Sequence, residues 1–164
     1  MNILEEVTFA EAVALSRELG EALGARGLTI ATAESCTGGL IGHLLTEIPG
    51  SSAWVWGGAI VYNNDMKESI LGVRHETLLA HGAVSYETAR ELAQGARRVF
   101  GTDIALSATG IAGPWGAVAG KPVGTVHLHI SAPGEYEVGK RYVWTSDRSG
   151  NKLLSAFTAL QMTL

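Results

Sequence analysis

The chain has 164 residues, 46% of them hydrophobic and 17% charged, with 21 glycines and a formal net charge of −4. That length suits one well-buried domain, 1–164, and the composition excludes a disordered or low-complexity chain. The acidic balance argues against a sequence-independent nucleic-acid binder, which needs a basic surface to displace counterions. With Cys36 as the single cysteine, no intrachain disulfide can form, which fits a reducing compartment. The first residues lack the pattern of a secretory leader, and no run approaches the ~20 apolar residues of a membrane span. A soluble cytoplasmic protein is expected, and its many small and apolar residues permit a homodimer or higher homo-oligomer.

In chain order, Thr8 and Glu11 form a capping-box pattern before Ala12, Leu15, Leu19, Ala22 and Leu23, which share a helical face that Gly24 and Gly27 close. Leu28 to Ala33 reads as a buried strand. It runs through Glu34-Ser35-Cys36-Thr37-Gly38-Gly39 into a helix carrying Leu40, Ile41, Leu44, Leu45 and Ile48. Such a turn leaves backbone N–H groups at the helix N-terminus, where an oxyanion or phosphate can dock beside small nucleophilic side chains. The plainer reading is a capped turn in which Ser35 or Thr37 satisfies the helix end.

Trp54 to Tyr62 reads as a second strand, with Gly57-Gly58 marking a bulge or a close backbone approach. Asn63-Asn64-Asp65 then caps a helix. With Asn64 as the cap, Lys67 falls in the first turn, where a cation opposes the helix dipole unless something negative faces it. A short helix over residues 76–80 precedes one whose Ala89, Leu92, Ala93, Ala96 and Phe100 point inward, with Arg90, Glu91 and Arg97 outside. Thr102 to Thr109 is a third strand, emptying into a glycine-rich loop that continues to Pro122 and suits a site wall. Residues 123–131 and 137–145 alternate as an antiparallel pair. Asp147 caps a last helix with Leu153, Leu154, Phe157 and Leu160 inside. The order α β α β α α α β β β α implies an α/β fold: a three-layer α/β/α sandwich around one mixed sheet, with ligands near the ends of the first and third strands.

Three blocks in this order, Ala33 to Gly39, Val61 to Lys67, and Thr109 to Pro114 with Lys121 to Val126, linked by His81 to Ser85, resemble the C-terminal domain of the competence-damage-inducible protein CinA. The resemblance covers nearly the whole chain. It implies nicotinamide-nucleotide amidohydrolase activity: nicotinamide mononucleotide and water give nicotinate mononucleotide and ammonia in pyridine nucleotide recycling. The chain departs from the family pattern at Trp115-Gly116-Ala117, where small residues are usual, and beyond Arg148, where Lys152 stands in place of an arginine.

Amide hydrolysis needs a nucleophile, a base, oxyanion donors and a proton for the leaving ammonia. Ser35 is the expected nucleophile, with Cys36 the rival because a helix N-terminus stabilises a thiolate. The amides of Cys36, Thr37, Gly38 and Gly39 are candidate oxyanion donors. No histidine occupies a position that the resemblance marks as catalytic, so Lys67 or Tyr62 is considered as base, Lys67 preferred with Tyr62 orienting; against this, Lys67 reads as a solvated surface residue. Arg148 is a candidate for the substrate phosphate, or else a partner of Asp147. Thr109, Gly110 and Gly113 are candidates for nucleotide contacts, and Trp115 for stacking on the pyridinium ring. His127 and His129 lie two apart but lack a third ligand, so neither a metal nor a cofactor is expected. The alternative is a non-catalytic nucleotide-binding or assembly module of the same fold.

Overall fold

A computed structural model describes residues 6–164. Its first helix, α1 (Phe9–Arg26), starts at the expected capping box. Thr8 Oγ1 accepts from the Glu11 N–H at 3.2 Å while the Thr8 N–H donates to Glu11 Oε2 at 2.7 Å. The helix ends at Gly27 alone, in the left-handed region at φ 64°; Gly24 lies within it. There follow β1 (Ile30–Glu34), α2 (Leu40–Thr46), a 3₁₀ turn at Ser51–Ala53, β2 (Val55–Ile60), α3 (Asn64–Leu71), α4 (His75–His81) and α5 (Tyr86–Phe100). The chain closes with β3 (Ile104–Gly110), β4 (Thr125–Ala132), β5 (Tyr136–Val143) and α6 (Arg148–Thr163).

The strands form one sheet in the order β2-β1-β3-β4-β5. β1 runs parallel to β2 and β3, while β4 and β5 are antiparallel to their neighbours. The expected element order and mixed sheet are therefore present. Two cores sandwich the sheet. Leu19, Leu44, Leu45 and Leu160 of α1, α2 and α6 meet Ile30, Leu106 and Leu128 on one face. On the other, Leu71 and Leu92 of α3 and α5 meet Ala33 and Ala105. Leu106 and Ala105 enter opposite cores because strand side chains alternate, and each buried leucine contributes roughly 1.5–3 kcal/mol.

Both readings of Gly57-Gly58 hold. The β1–β2 register slips so that Ile30 pairs with Val55 and Ala31 with Gly57. A Cβ on Gly57 would stand 2.8 Å from the Phe100 ring, and one on Gly58 would collide with Thr32. On α5, Arg90, Glu91 and Arg97 are half-buried, contrary to the expected outer face. Arg97 reaches across to the Ala132 carbonyl at 3.1 Å, and Glu91 accepts from the Thr77 hydroxyl at 2.6 Å. Long side chains carry their polar heads over the core edge to partners on neighbouring elements.

Two glycines inside helices test how closely these layers pack. A Cβ at Gly95 of α5 would run into the Leu71 backbone of α3, whereas one at Gly24 of α1 meets nothing within 4 Å. Gly24→Ala is expected to stabilise by about 0.5–1 kcal/mol through helix propensity. Gly95→Ala is expected to destabilise despite the same propensity gain, because α3 and α5 must separate. Urea denaturation of the two variants checks both signs.

Candidate active site

The three parallel strands end on one edge of the sheet, β1 at Glu34, β2 just before Tyr62 and β3 at Gly110. Strands departing to either side of β1 open a crevice there, the usual ligand position in such sheets. A cavity of about 190 Å³ occupies it, walled by Ser35, Cys36, Tyr62, Lys67, Thr109 and Gly110, with Asn64, Ala83, Val84 and Ala112 completing the lining.

The turn after β1 is held by Glu34, which is 1% exposed. Its carboxylate accepts from Thr37 Oγ1 at 2.7 Å, from the Ile41 N–H at 2.8 Å and from the Gly42 N–H at 3.0 Å. A negative charge is well placed at a helix N-terminus. This corrects the sequence-based expectation in two respects: the first-turn donors of α2 are occupied, and neither Ser35 nor Thr37 caps the helix. Gly38 and Gly39, at φ 62° and 100°, supply the left-handed residues that turn the chain.

Within the turn, the Ser35 N–H donates to the Ala108 carbonyl and the Gly38 N–H to the Ser35 carbonyl. Gly38 is thus spent inside the turn, and Thr37, Gly38 and Gly39 are not part of the cavity wall. Among the described residues no acceptor on another residue meets the N–H of Cys36 or of Ala112, both of which line the cavity. The Ser35 hydroxyl likewise makes no hydrogen bond to a described residue.

Lys67 is 1% exposed, which overturns the reading of a solvated surface lysine. The cap of α3 is Asn63, one residue earlier than expected, and its Oδ1 accepts from the Asp65 N–H at 2.7 Å. Lys67 Nζ donates to the Tyr62 carbonyl at 3.1 Å, and no carboxylate lies within ion-pair distance among the described residues. Burial lowers its pKa from the ordinary lysine value, with Cys36 a smaller opposing influence. Burial also pushes the Cys36 thiol up to about 12. Desolvation therefore opposes the thiolate that a position beside α2 would favour.

Tyr62 is 60% exposed at the mouth. Its hydroxyl accepts from Arg148 Nη2 at 3.0 Å, while Arg148 Nη1 donates to the Gly113 carbonyl at 2.7 Å. Asp147 is not the partner of Arg148, since its Oδ1 accepts from the Gly150 N–H as the cap of α6. Gly113 thus meets the site through Arg148. The Thr109 hydroxyl donates to the Ala83 carbonyl at 2.8 Å, fixing this residue in the cavity wall. Trp115 is 85% exposed and outside the cavity lining, so the chain's own packing does not place it for stacking. His129 Nε2 pairs with Glu137 Oε2 at 2.6 Å on another part of the sheet.

Glu34 and Asn151 carried no role in the sequence analysis, and Lys152 entered it only as a replacement for a family arginine. Glu34 has a sequence signal, an acid between an apolar strand and a helix start. Asn151, 1% exposed, donates to the Ala112 carbonyl at 3.0 Å and accepts from the Ser146 N–H at 3.1 Å, tying α6 to the loop after β3. Lys152 Nζ lies 3.6 Å from where a Gly38 Cβ would stand. Neither of the last two has a local sequence signature.

The family model for the CinA C-terminal domain matches residues 12–164. The chain belongs to that family. It is 50% identical to a CinA-like protein of Chloroherpeton thalassium over 90% of this chain but 36% of that protein, so it spans about a third of the length of such relatives. It is also 43% identical to the nicotinamide-nucleotide amidohydrolase PncC of Escherichia coli, over 94% of each chain. Among solved structures, the competence/damage inducible protein CihA from Agrobacterium tumefaciens superposes with a TM-score of 0.90 at 43% identity, covering 92% of both chains.

Two stability effects follow from this geometry. Glu34→Ala strands the Ile41 and Gly42 N–H groups and is expected to lower the unfolding free energy by more than one charged hydrogen bond, ~1.5–3 kcal/mol. Lys67→Met is expected to stabilise the protein at neutral pH. Its folded pKa lies below the unfolded value near ~10.4, so between the two the unfolded chain binds more protons and wild-type stability rises with pH. The advantage of Lys67→Met therefore shrinks as pH approaches ~10.4. Thermal unfolding of both proteins across pH 7–10 reads the trend.

Proposed function

We propose that the chain hydrolyses the carboxamide of nicotinamide mononucleotide to nicotinate mononucleotide and ammonia, in cytoplasmic pyridine nucleotide recycling. The observation that carries this reading is a buried lysine without a carboxylate partner in the same cavity as an unbonded serine hydroxyl. The full-length likeness to PncC supports the substrate.

In this reading Ser35 Oγ attacks the carboxamide carbon as its proton passes to the neutral amine of Lys67, which burial favours. The tetrahedral oxyanion is met by the N–H of Cys36, with Ala112 a second donor across the cavity. On collapse the C–N bond breaks, the lysine returns the proton, and ammonia leaves a serine ester. Water, deprotonated by Lys67, then attacks the ester carbon. The C–O bond to Ser35 breaks, the serine recovers a proton, and the nicotinate is released as carboxylate. Tyr62, held by Arg148, orients the ring at the mouth. A neighbouring hollow of about 440 Å³, bordered by Ala112, Pro114 and Arg148, gives the ribose phosphate room beside the guanidinium. The mechanism needs no metal, and among the described residues no three His, Cys, Asp or Glu side chains gather to hold one. Trp115, where the chain departs from the family pattern, stands outside the cavity lining.

Ammonia release from nicotinamide mononucleotide with a chelator present is the test. Ser35→Ala is expected to lower kcat by at least ~10³-fold, and Cys36→Ala to stay within roughly tenfold of wild type. Lys67→Ala is expected to lose ~10²–10⁴-fold, and the acid limb of the wild-type profile to lie below the ordinary lysine range. No ammonia from folded wild-type protein overturns the activity; loss in Cys36→Ala with retention in Ser35→Ala overturns the nucleophile.

A further inference from the structure

On α5, Arg90, Gln94 and Arg98 recur every four residues and so stand in a row along the helix. Facing them across an open cavity of about 290 Å³ are Gly72 and Arg74 of the α3–α4 connection, with Glu91 between. This cavity shares no residue with the one around Ser35. Its cations outnumber its carboxylates, in a chain whose net charge is −4. Glu91 is already engaged: Oε2 accepts from the Arg74 N–H at 2.8 Å, and Oε1 from Thr77 at 2.6 Å and Arg74 Nε at 3.2 Å. Glu137, which accepts from Gln94, is also bound to Ser131 and His129.

Among the described residues neither Arg90 nor Arg98 has an ion-pair partner. Arg98 donates to the Leu71 carbonyl at 2.9 Å, and a Cβ on Gly72 would lie 2.6 Å from its Nη2, so a glycine there lets the guanidinium rest against the loop. Arg90 Nε is buried with no acceptor among the described residues, and its guanidinium carbon lies 6.0 Å from the centre of the Tyr86 ring. Like-charged guanidinium groups of Arg74, Arg90 and Arg98 at one cavity repel each other, and an oxyanion among them would relieve that repulsion.

We infer that this groove is a second anion site that binds the phosphate group of a small molecule, with Arg90 and Arg98 as its principal donors and Arg74 at its rim. Guanidinium forks match phosphate oxygens in pairs, and the open cavity leaves space for the organic part of a phosphomonoester. Bound phosphate competes with the Leu71 carbonyl for Arg98 at the end of α3, the helix that carries Lys67.

Calorimetric titration of the full chain with inorganic phosphate, adenosine monophosphate and adenosine tests this, in an Arg148→Ala background so that the Ser35 cavity does not contribute. Saturable binding of the two phosphate probes and none of adenosine is expected, weakening as salt rises. Arg90→Gln and Arg98→Gln should each weaken it at least tenfold, with circular dichroism showing that each variant remains folded at the titration temperature. Tighter binding of the monophosphate than of inorganic phosphate identifies a phosphomonoester as the occupant, and equal binding identifies free phosphate. Absence of phosphate binding once Arg148 is removed, or equal binding by the Arg90 and Arg98 variants and their parent, overturns the inference.

Discussion

The Glu34 carboxylate is the interaction on which the site depends. A seven-residue helix has little stability of its own, and α2 begins at a left-handed glycine with no capping side chain. Glu34 supplies what is missing by accepting from the N–H groups of Ile41 and Gly42 and from the Thr37 hydroxyl. One buried charge thereby joins the last residue of a central strand to both the turn and the helix beyond it. Because the strand is fixed on both sides by β2 and β3, the turn inherits its rigidity, and Ser35 is presented from a frame that does not need a ligand to form.

The same desolvation that makes Glu34 dependent on its three donors acts oppositely on the groups facing the cavity. Lys67 and Cys36 are both buried, and burial favours the neutral form of each, lowering the lysine pKa and raising that of the thiol. Ser35 and Cys36, adjacent in sequence, thus line the cavity with a hydroxyl and with a thiol whose ionisation burial opposes. Arg148 completes the arrangement from the far end of the chain, joining Tyr62 at the end of β2 to Gly113 in the loop after β3.

Periodicity and turn chemistry in the sequence determined the element order, the capping box at Thr8, the antiparallel β4–β5 pair and the cap at Asp147, since each rests on neighbours within a few residues. The family resemblance likewise marked Ser35, Tyr62 and Lys67 within its blocks and Arg148 near the C-terminus, and the fold gathers them at one edge of the sheet. Tertiary structure alone decided which donors were free. Glu34 consumes the helix N–H groups, Ala83 occupies the Thr109 hydroxyl, and Trp115 stays outside the cavity. It also decided ionisation, because a lysine or cysteine reads alike in sequence whether water surrounds it or a sheet and two helices exclude water from it. Those outcomes depend on contacts between residues dozens of positions apart, and a one-dimensional pattern carries no term for them.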